Sequence, residues 1–140
     1  MLISFAVEAQ TARLDRVEIV EAGTYKLAAN GSVAVADLST TVAANLGVQF
    51  GFRYIPVGEP RGAAVALRLV TRLPGQGARN PANGQIVART EEAVSAVMGA
   101  PLVSGYKFDA AWEMVPGVWT FEIWDRERKM AEQRFTVVKR

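Results

Sequence analysis

The sequence has 140 residues, half of them apolar and 21% charged, with a formal net charge of +2; that size and balance suit one globular domain without a long disordered tract. It contains neither cysteine nor histidine, which excludes a thiolate nucleophile, a Cys/His zinc site, a Ser-His-Asp relay, an imidazole base and a histidine-ligated haem. Carboxylate, lysine or tyrosine chemistry stays open, and a chain without cysteine gives no sign of its redox compartment.

Residues 1–12 stand apart from the rest of the chain. Leu2 to Val7 is an apolar run, and Val7-Glu8-Ala9 has small residues at the spacing a signal peptidase accepts, but a basic stretch before it is missing. The segment reads either as the end of a signal peptide, which implies a periplasmic or secreted location, or as a hydrophobic N-terminal strand, which leaves the cytoplasm open. No other segment approaches the ~18 consecutive apolar residues of a membrane span.

From residue 13 to 140 the pattern is that of a single β domain. In RVEIVEAGTYKL the residues Val17, Ile19, Tyr25 and Leu27 share one parity against Glu18, Thr24 and Lys26, with Gly23 as a bulge or bend. A turn comes next at Ala29-Asn30-Gly31; the run Val33 to Leu38 is short, and STTVAANLG reads as a helical turn or a loop. VQFGFRYIPVG puts Val48, Phe50, Phe52 and Tyr54 on one face and Gln49, Arg53 and Ile55 on the other. After Gly58, Pro60 and Gly62, the next strand has Val65, Leu67, Leu69 and Leu73 inward and Arg68 and Arg72 outward. The short link between the two runs predicts an antiparallel hairpin.

LPGQGARNPANGQ is a polar loop. Its Gly75 and Gly77 have the spacing of a dinucleotide fingerprint, but Asn80 stands in place of the third glycine, Pro81 comes directly after it, and no helix begins there to meet a phosphate. Thr90 before Glu91 and Glu92 resembles a helix N-cap with an acidic first turn, and Val94, Val97 and Met98 fit one helical face, so a short helix is predicted near 90–98, ended by Gly99 and Pro101. Then Tyr106, Phe108, Ala110, Trp112 and Met114 alternate along one strand. Beyond the Pro116-Gly117 turn, Trp119, Phe121 and Ile123 alternate against Thr120, Glu122 and Trp124. A charged turn, DRERK, leads to a last strand with Phe135 and Val137 inward.

About seven short strands with turn signals between them indicate an all-β, antiparallel sandwich of immunoglobulin-like type, with a small barrel as the alternative. The order GTYKL, FGFRY, YKFDAAWEMVPGVWTFEIW and RFTVV resembles the bacterial family known as domain of unknown function 3859, over roughly residues 16 to 138. That resemblance implies an Ig-like or fibronectin-like module. It brings no activity and no catalytic residue.

Four residues are candidates for a ligand or partner surface. Residues 51 to 90 hold six arginines and one glutamate, and pairing the two hairpin strands would set Arg53, Arg68 and Arg72 in one exposed patch. Arginine forks suit an anionic polymer or an acidic protein; the competing view is that outward charges keep a sheet soluble and discourage edge pairing. Without interleaved aromatics or a recognition helix, nucleic acid is not expected. Trp124 is the fourth candidate, outward by parity, whereas Trp112 and Trp119 belong to the core. Asp109 and Glu113, four residues apart on one predicted strand and hence about 13 Å apart, are too far apart to act as a pair, and Glu122 reads as solvated surface charge. No catalytic, metal or cofactor residue is expected. The leading reading is a non-enzymatic binding domain; the alternatives are a carboxylate- or lysine-based hydrolase and a structural subunit of a larger assembly.

Overall fold

The computed structural model describes residues 12–27 and 29–139; the N-terminal segment, apart from Ala12, lies outside them. In chain order the strands are β1 (Arg13–Leu27), β2 (Val33–Asp37), β3 (Thr41–Ala43), β4 (Gln49–Glu59), β5 (Ala64–Arg72), β6 (Ala78–Arg79), β7 (Ile86–Val87), β8 (Arg89–Val97), β9 (Leu102–Lys107), β10 (Gly117–Asp125) and β11 (Arg128–Val138). They form a four-stranded sheet, β2-β1-β4-β9, a five-stranded sheet, β3-β11-β10-β5-β8, and a ribbon of β6 and β7. Among the described residues the one helical turn is a 3-10 turn at Ala111–Glu113. The pairing is antiparallel except for β3, which runs parallel to β11 with Thr41 opposite Thr136. This is the expected β-sandwich, with more strands than sequence counting suggests.

Alternation fills the space between the sheets. Phe50, Phe52 and Tyr54 of β4 and Trp119, Phe121 and Ile123 of β10 are all fully buried, one set from each sheet. Phe50 is at the centre: its ring lies 5.2 Å from Phe108, 5.6 Å from Trp119, 5.5 Å from Phe121 and 5.3 Å from Phe135, centroid to centroid. These spacings fall in the range where tilted and edge-on aromatic pairs attract.

Five expectations are corrected. First, β4 and β5 are not a hairpin: β4 pairs with β1 and β9, and β5 with β10 and β8. The link between them crosses from one sheet to the other, so their apolar faces meet across the core, about 10 Å apart, rather than side by side. Second, the segment expected as a helix near 90–98 is strand up to Val97, with Met98 in the turn that follows. Its inward residues are Val94, Ala96 and Met98, while Val97 is 45% exposed. Third, the parity of β1 reverses at a bulge between Ile19 and Glu21, so Tyr25 lies on the outer face of its sheet with Glu21 and Arg53, not on the inner face with Val17 and Ile19. Fourth, 106–114 is not one strand. β9 stops at Lys107, and Trp112 and Met114 pack on the core from the 3-10 turn. Glu113 folds back there: its Oε1 accepts the backbone N–H of Ala110 at 2.7 Å and of Asp109 at 3.1 Å, and Oε2 accepts the Tyr106 hydroxyl. Fifth, the segment 39–47, expected as a helical turn or loop, contains β3, and the 73–85 loop contains β6, which pairs with β7 just beyond it.

Tyr25 is outward yet only 4% exposed, and glycine explains how. Gly23, Gly51 and Gly105 lie opposite one another across β1, β4 and β9, one row from Tyr25 and Gln49 and one row from Glu21 and Arg53. A Cβ on Gly51 would sit 2.2 Å from Ser104 O, and one on Gly105 2.1 Å from Phe50 O, so the strands approach more closely than any side chain permits. Tyr25 reaches over this bare row from one side and the Glu21–Arg53 pair from the other. Among the described residues the buried tyrosine hydroxyl has no hydrogen-bond partner; burial, then Glu21, push its pKa up, while Arg53 pulls it down.

Candidate functional site

The outer face of the five-stranded sheet holds three of the four predicted residues, and the register shows how they are arranged. One row across β8, β5, β10 and β11 reads Arg89, Arg72, Thr120, Arg134. The next reads Glu91, Val70, Glu122, Glu132, and the third Ala93, Arg68, Trp124, Lys129. A line of carboxylates therefore lies between two lines of cations, with about 7 Å between rows and 5 Å between strands.

Polar contacts join the three rows. Glu91 meets Arg68 and, at 3.2 Å, Arg89. Glu122 accepts Arg72 Nε–H at 3.2 Å and Trp124 Nε1–H at 3.0 Å, with Lys129 Nζ at 3.9 Å. Glu132 meets Lys129 at 3.1 Å and Arg134 at 3.2 Å. Arg68 also lies over the Trp124 ring, 5.8 Å from its centroid, and donates to the carbonyl of Arg126. The Arg68 hydrogen bond is the main influence holding Glu91 below the usual carboxylate range, and the Lys129 hydrogen bond does the same for Glu132.

Two features of this face concern its balance of charge. Arg89 and Arg72 stand directly opposite each other, as do Glu122 and Glu132, and like charges in that position destabilise a sheet. There are five cations, Arg68, Arg72, Arg89, Lys129 and Arg134, for three carboxylates. The cationic side chains stay between 39% and 68% exposed, whereas Glu122 is buried beneath them.

The sequence missed half of this arrangement. Reading 90–98 as helix hides Arg89 and Glu91, and Glu122, expected to be solvated, is buried. Arg53 does not join the patch: it lies on the outer face of the other sheet, paired with Glu21 at 2.9 Å. Trp124 is outward as expected, but its indole holds Arg68 and Glu122 in place instead of offering a bare platform. Glu113, at the end of the sandwich, and Glu122, on a sheet face, do not converge, but the extended spacing expected between Asp109 and Glu113 is corrected: the 3-10 turn brings the Glu113 carboxylate back to accept the Asp109 backbone N–H at 3.1 Å. Among the described residues no group of three or more Asp or Glu is arranged to hold a metal ion.

Two stacked sheets with this strand order and an aromatic core define an immunoglobulin-like β-sandwich. The chain belongs to the family described as Domain of unknown function (DUF3859), whose model matches residues 19–137. It is similar to an immunoglobulin-like protein from Pseudomonas aeruginosa known from a crystal structure, at 29% identity and a TM-score of 0.70 over 91% of this chain and 97% of that one. No curated protein matches it.

Proposed function

We propose that this is a non-enzymatic interaction domain that engages an anionic partner, a polymer or an acidic protein surface, through the outer face of its five-stranded sheet. The observation that carries this reading is the surplus of cations in like-charged rows, fixed on a rigid sheet with guanidinium groups open to solvent. Preorganised arginine forks bind planar oxyanions with little further loss of side-chain freedom. An anion laid along the Arg89–Arg72–Arg134 row also relieves the repulsion between neighbouring arginines, so binding and fold stability reinforce each other. A partner of this kind binds more weakly as salt rises.

The test is retention on a dextran sulfate column developed with a salt gradient. Changing Arg72, Arg89 and Arg134 to Gln is expected to move elution to clearly lower salt. The same three-charge loss on the other sheet, at Arg13, Arg16 and Arg53, is expected to change it little. Equal shifts for the two folded variants would reduce the effect to net charge and remove the proposed face.

A further inference from the structure

On one side of the sandwich the two sheets end, among the described residues, in the unpaired edges of β8 and β9. Between them runs a groove of about 430 Å³, lined by Leu69, Glu92, Val94, Leu102, Ser104 and their neighbours. Backbone pairing fixes which groups of the β9 edge are free. Phe108 N donates to Val48 O, and Phe108 O accepts from Gly47 N. The two-residue alternation of an antiparallel ladder then turns Leu102, Ser104 and Tyr106 toward β4 and leaves the N–H and C=O groups of Val103, Gly105 and Lys107 pointing away from the sheet.

The two edges differ in how they resist an added strand. β8 carries a charge on its inward face, Glu92 opposite Leu69, a device that discourages strand addition. The inward residues of β9, Leu102, Ser104 and Tyr106, include no charge. Glu92 also lacks what its neighbours have: Glu91, Glu122 and Glu132 each meet a cation, whereas Glu92 has none within salt-bridge distance among the described residues. Its charge is felt by Tyr54, whose hydroxyl is 2.6 Å from that of Ser104 on β9. The groove thus has a free hydrogen-bonding edge on one wall and an unmatched carboxylate on the other.

We propose that β9 is a docking edge for an extended peptide segment of a partner protein, one that carries a lysine or arginine to meet Glu92. Such a strand continues the four-stranded sheet by pairing with Val103, Gly105 and Lys107, and its alternate side chains turn into the groove. The inward side chain near Ser104 faces Glu92 across the gap between sheets, about 10 Å, which a long cationic side chain and a glutamate bridge together. This surface is separate from the cationic sheet face and has the opposite charge preference.

The test uses the full chain and two fluorescein-labelled probes, the peptide Thr-Val-Thr-Lys-Thr-Val-Thr and its twin with Glu in place of Lys, followed by fluorescence anisotropy at low salt. The lysine probe is expected to bind saturably and about tenfold more tightly than its twin, and Glu92→Gln to remove that preference. Val103→Pro is expected to abolish binding of both, because it deletes an edge N–H that the β4 ladder does not use; Glu92→Gln, a surface change, gives an independent reading if the proline variant unfolds. Equal binding of the two probes, absence of saturable binding, or full binding by a folded Val103→Pro variant would overturn the proposal. So would sedimentation showing self-association that Val103→Pro abolishes, which makes a second copy the occupant, or binding that appears only after residues 1–11 are removed, which makes that segment the occupant.

Discussion

Trp124 donates its indole N–H to Glu122, two residues earlier on the same strand, at 3.0 Å, and its ring lies beneath Arg68. One side chain thus holds a buried carboxylate and an exposed cation together. Trp124→Phe keeps a ring for Arg68 but leaves Glu122 without one of its donors. It is expected to cost about 1.5–3 kcal/mol in urea unfolding, the usual effect of removing a hydrogen bond to a charged group. Trp124→Ala loses the ring as well and is expected to cost more; a cost no greater than that of Trp124→Phe would mean that the Arg68 contact adds nothing.

All three tyrosines of the chain are held above their ordinary pKa of 10.0, by burial first in each case. For Tyr106 the hydroxyl's hydrogen bond to the Glu113 carboxylate adds to that rise. A folded-state pKa raised above the unfolded value stabilises the fold below the unfolded pKa, and that stability is lost as pH rises through the folded pKa. Tyrosinate absorbance is therefore expected to appear at higher pH in the native protein than in urea, together with the loss of far-ultraviolet β signal. Tyrosinate that titrates at the same pH in both conditions would contradict the burial of these hydroxyls.

Glu91 and Glu132 shift in the opposite direction. Because their folded-state pKa values are depressed, the stability they bring is present above the unfolded carboxylate pKa and lost as pH falls through the folded values. Both groups are close to solvent, so the effect is small and screened by salt. Side-chain carboxyl NMR is expected to show Glu91 returning toward its ordinary range in Arg68→Gln while Glu132 stays depressed. In Lys129→Gln the two responses should exchange.

The fold is legible in the sequence wherever two-residue alternation runs unbroken. Phe50-Phe52-Tyr54, Trp119-Phe121-Ile123 and Phe135-Val137 all face the core, as their alternation predicts. Alternation does not say whether two amphipathic strands lie side by side or face each other, and for that reason the sequence alone joins β4 to β5 and groups Arg53 with Arg68 and Arg72. It also fails at a single extra residue: the bulge after Ile19 turns Tyr25 outward. The β8 segment deceives for another reason. Ala96, one of its inward residues, is too small to mark a period, while Thr90-Glu91-Glu92 imitates a helix start. Of the site, the outward arginines and Trp124 are visible in the sequence; their carboxylate partners become so only with the register of four strands.

The glycine row offers a sharper test of the sheet than any charge. A methyl group at residue 51 would lie 2.2 Å from Ser104 O and 2.8 Å from Gly105 Cα, and both neighbours are backbone atoms that cannot rotate away. Gly51→Ala must therefore push β4 and β9 apart at the point where Tyr25 reaches over the row. The expected cost is about 3 kcal/mol, at the upper end for a point substitution. By comparison, Phe50→Ala empties the centre of the aromatic core and is expected to cost about 3–5 kcal/mol. The two variants differ in what else changes. Gly51→Ala lifts the cover from Tyr25, so its hydroxyl should titrate closer to the ordinary value, whereas Phe50→Ala acts on the opposite face of the sheet and should leave Tyr25 covered. A Gly51→Ala protein as stable as the parent would mean that β4 and β9 are not as close as this register requires.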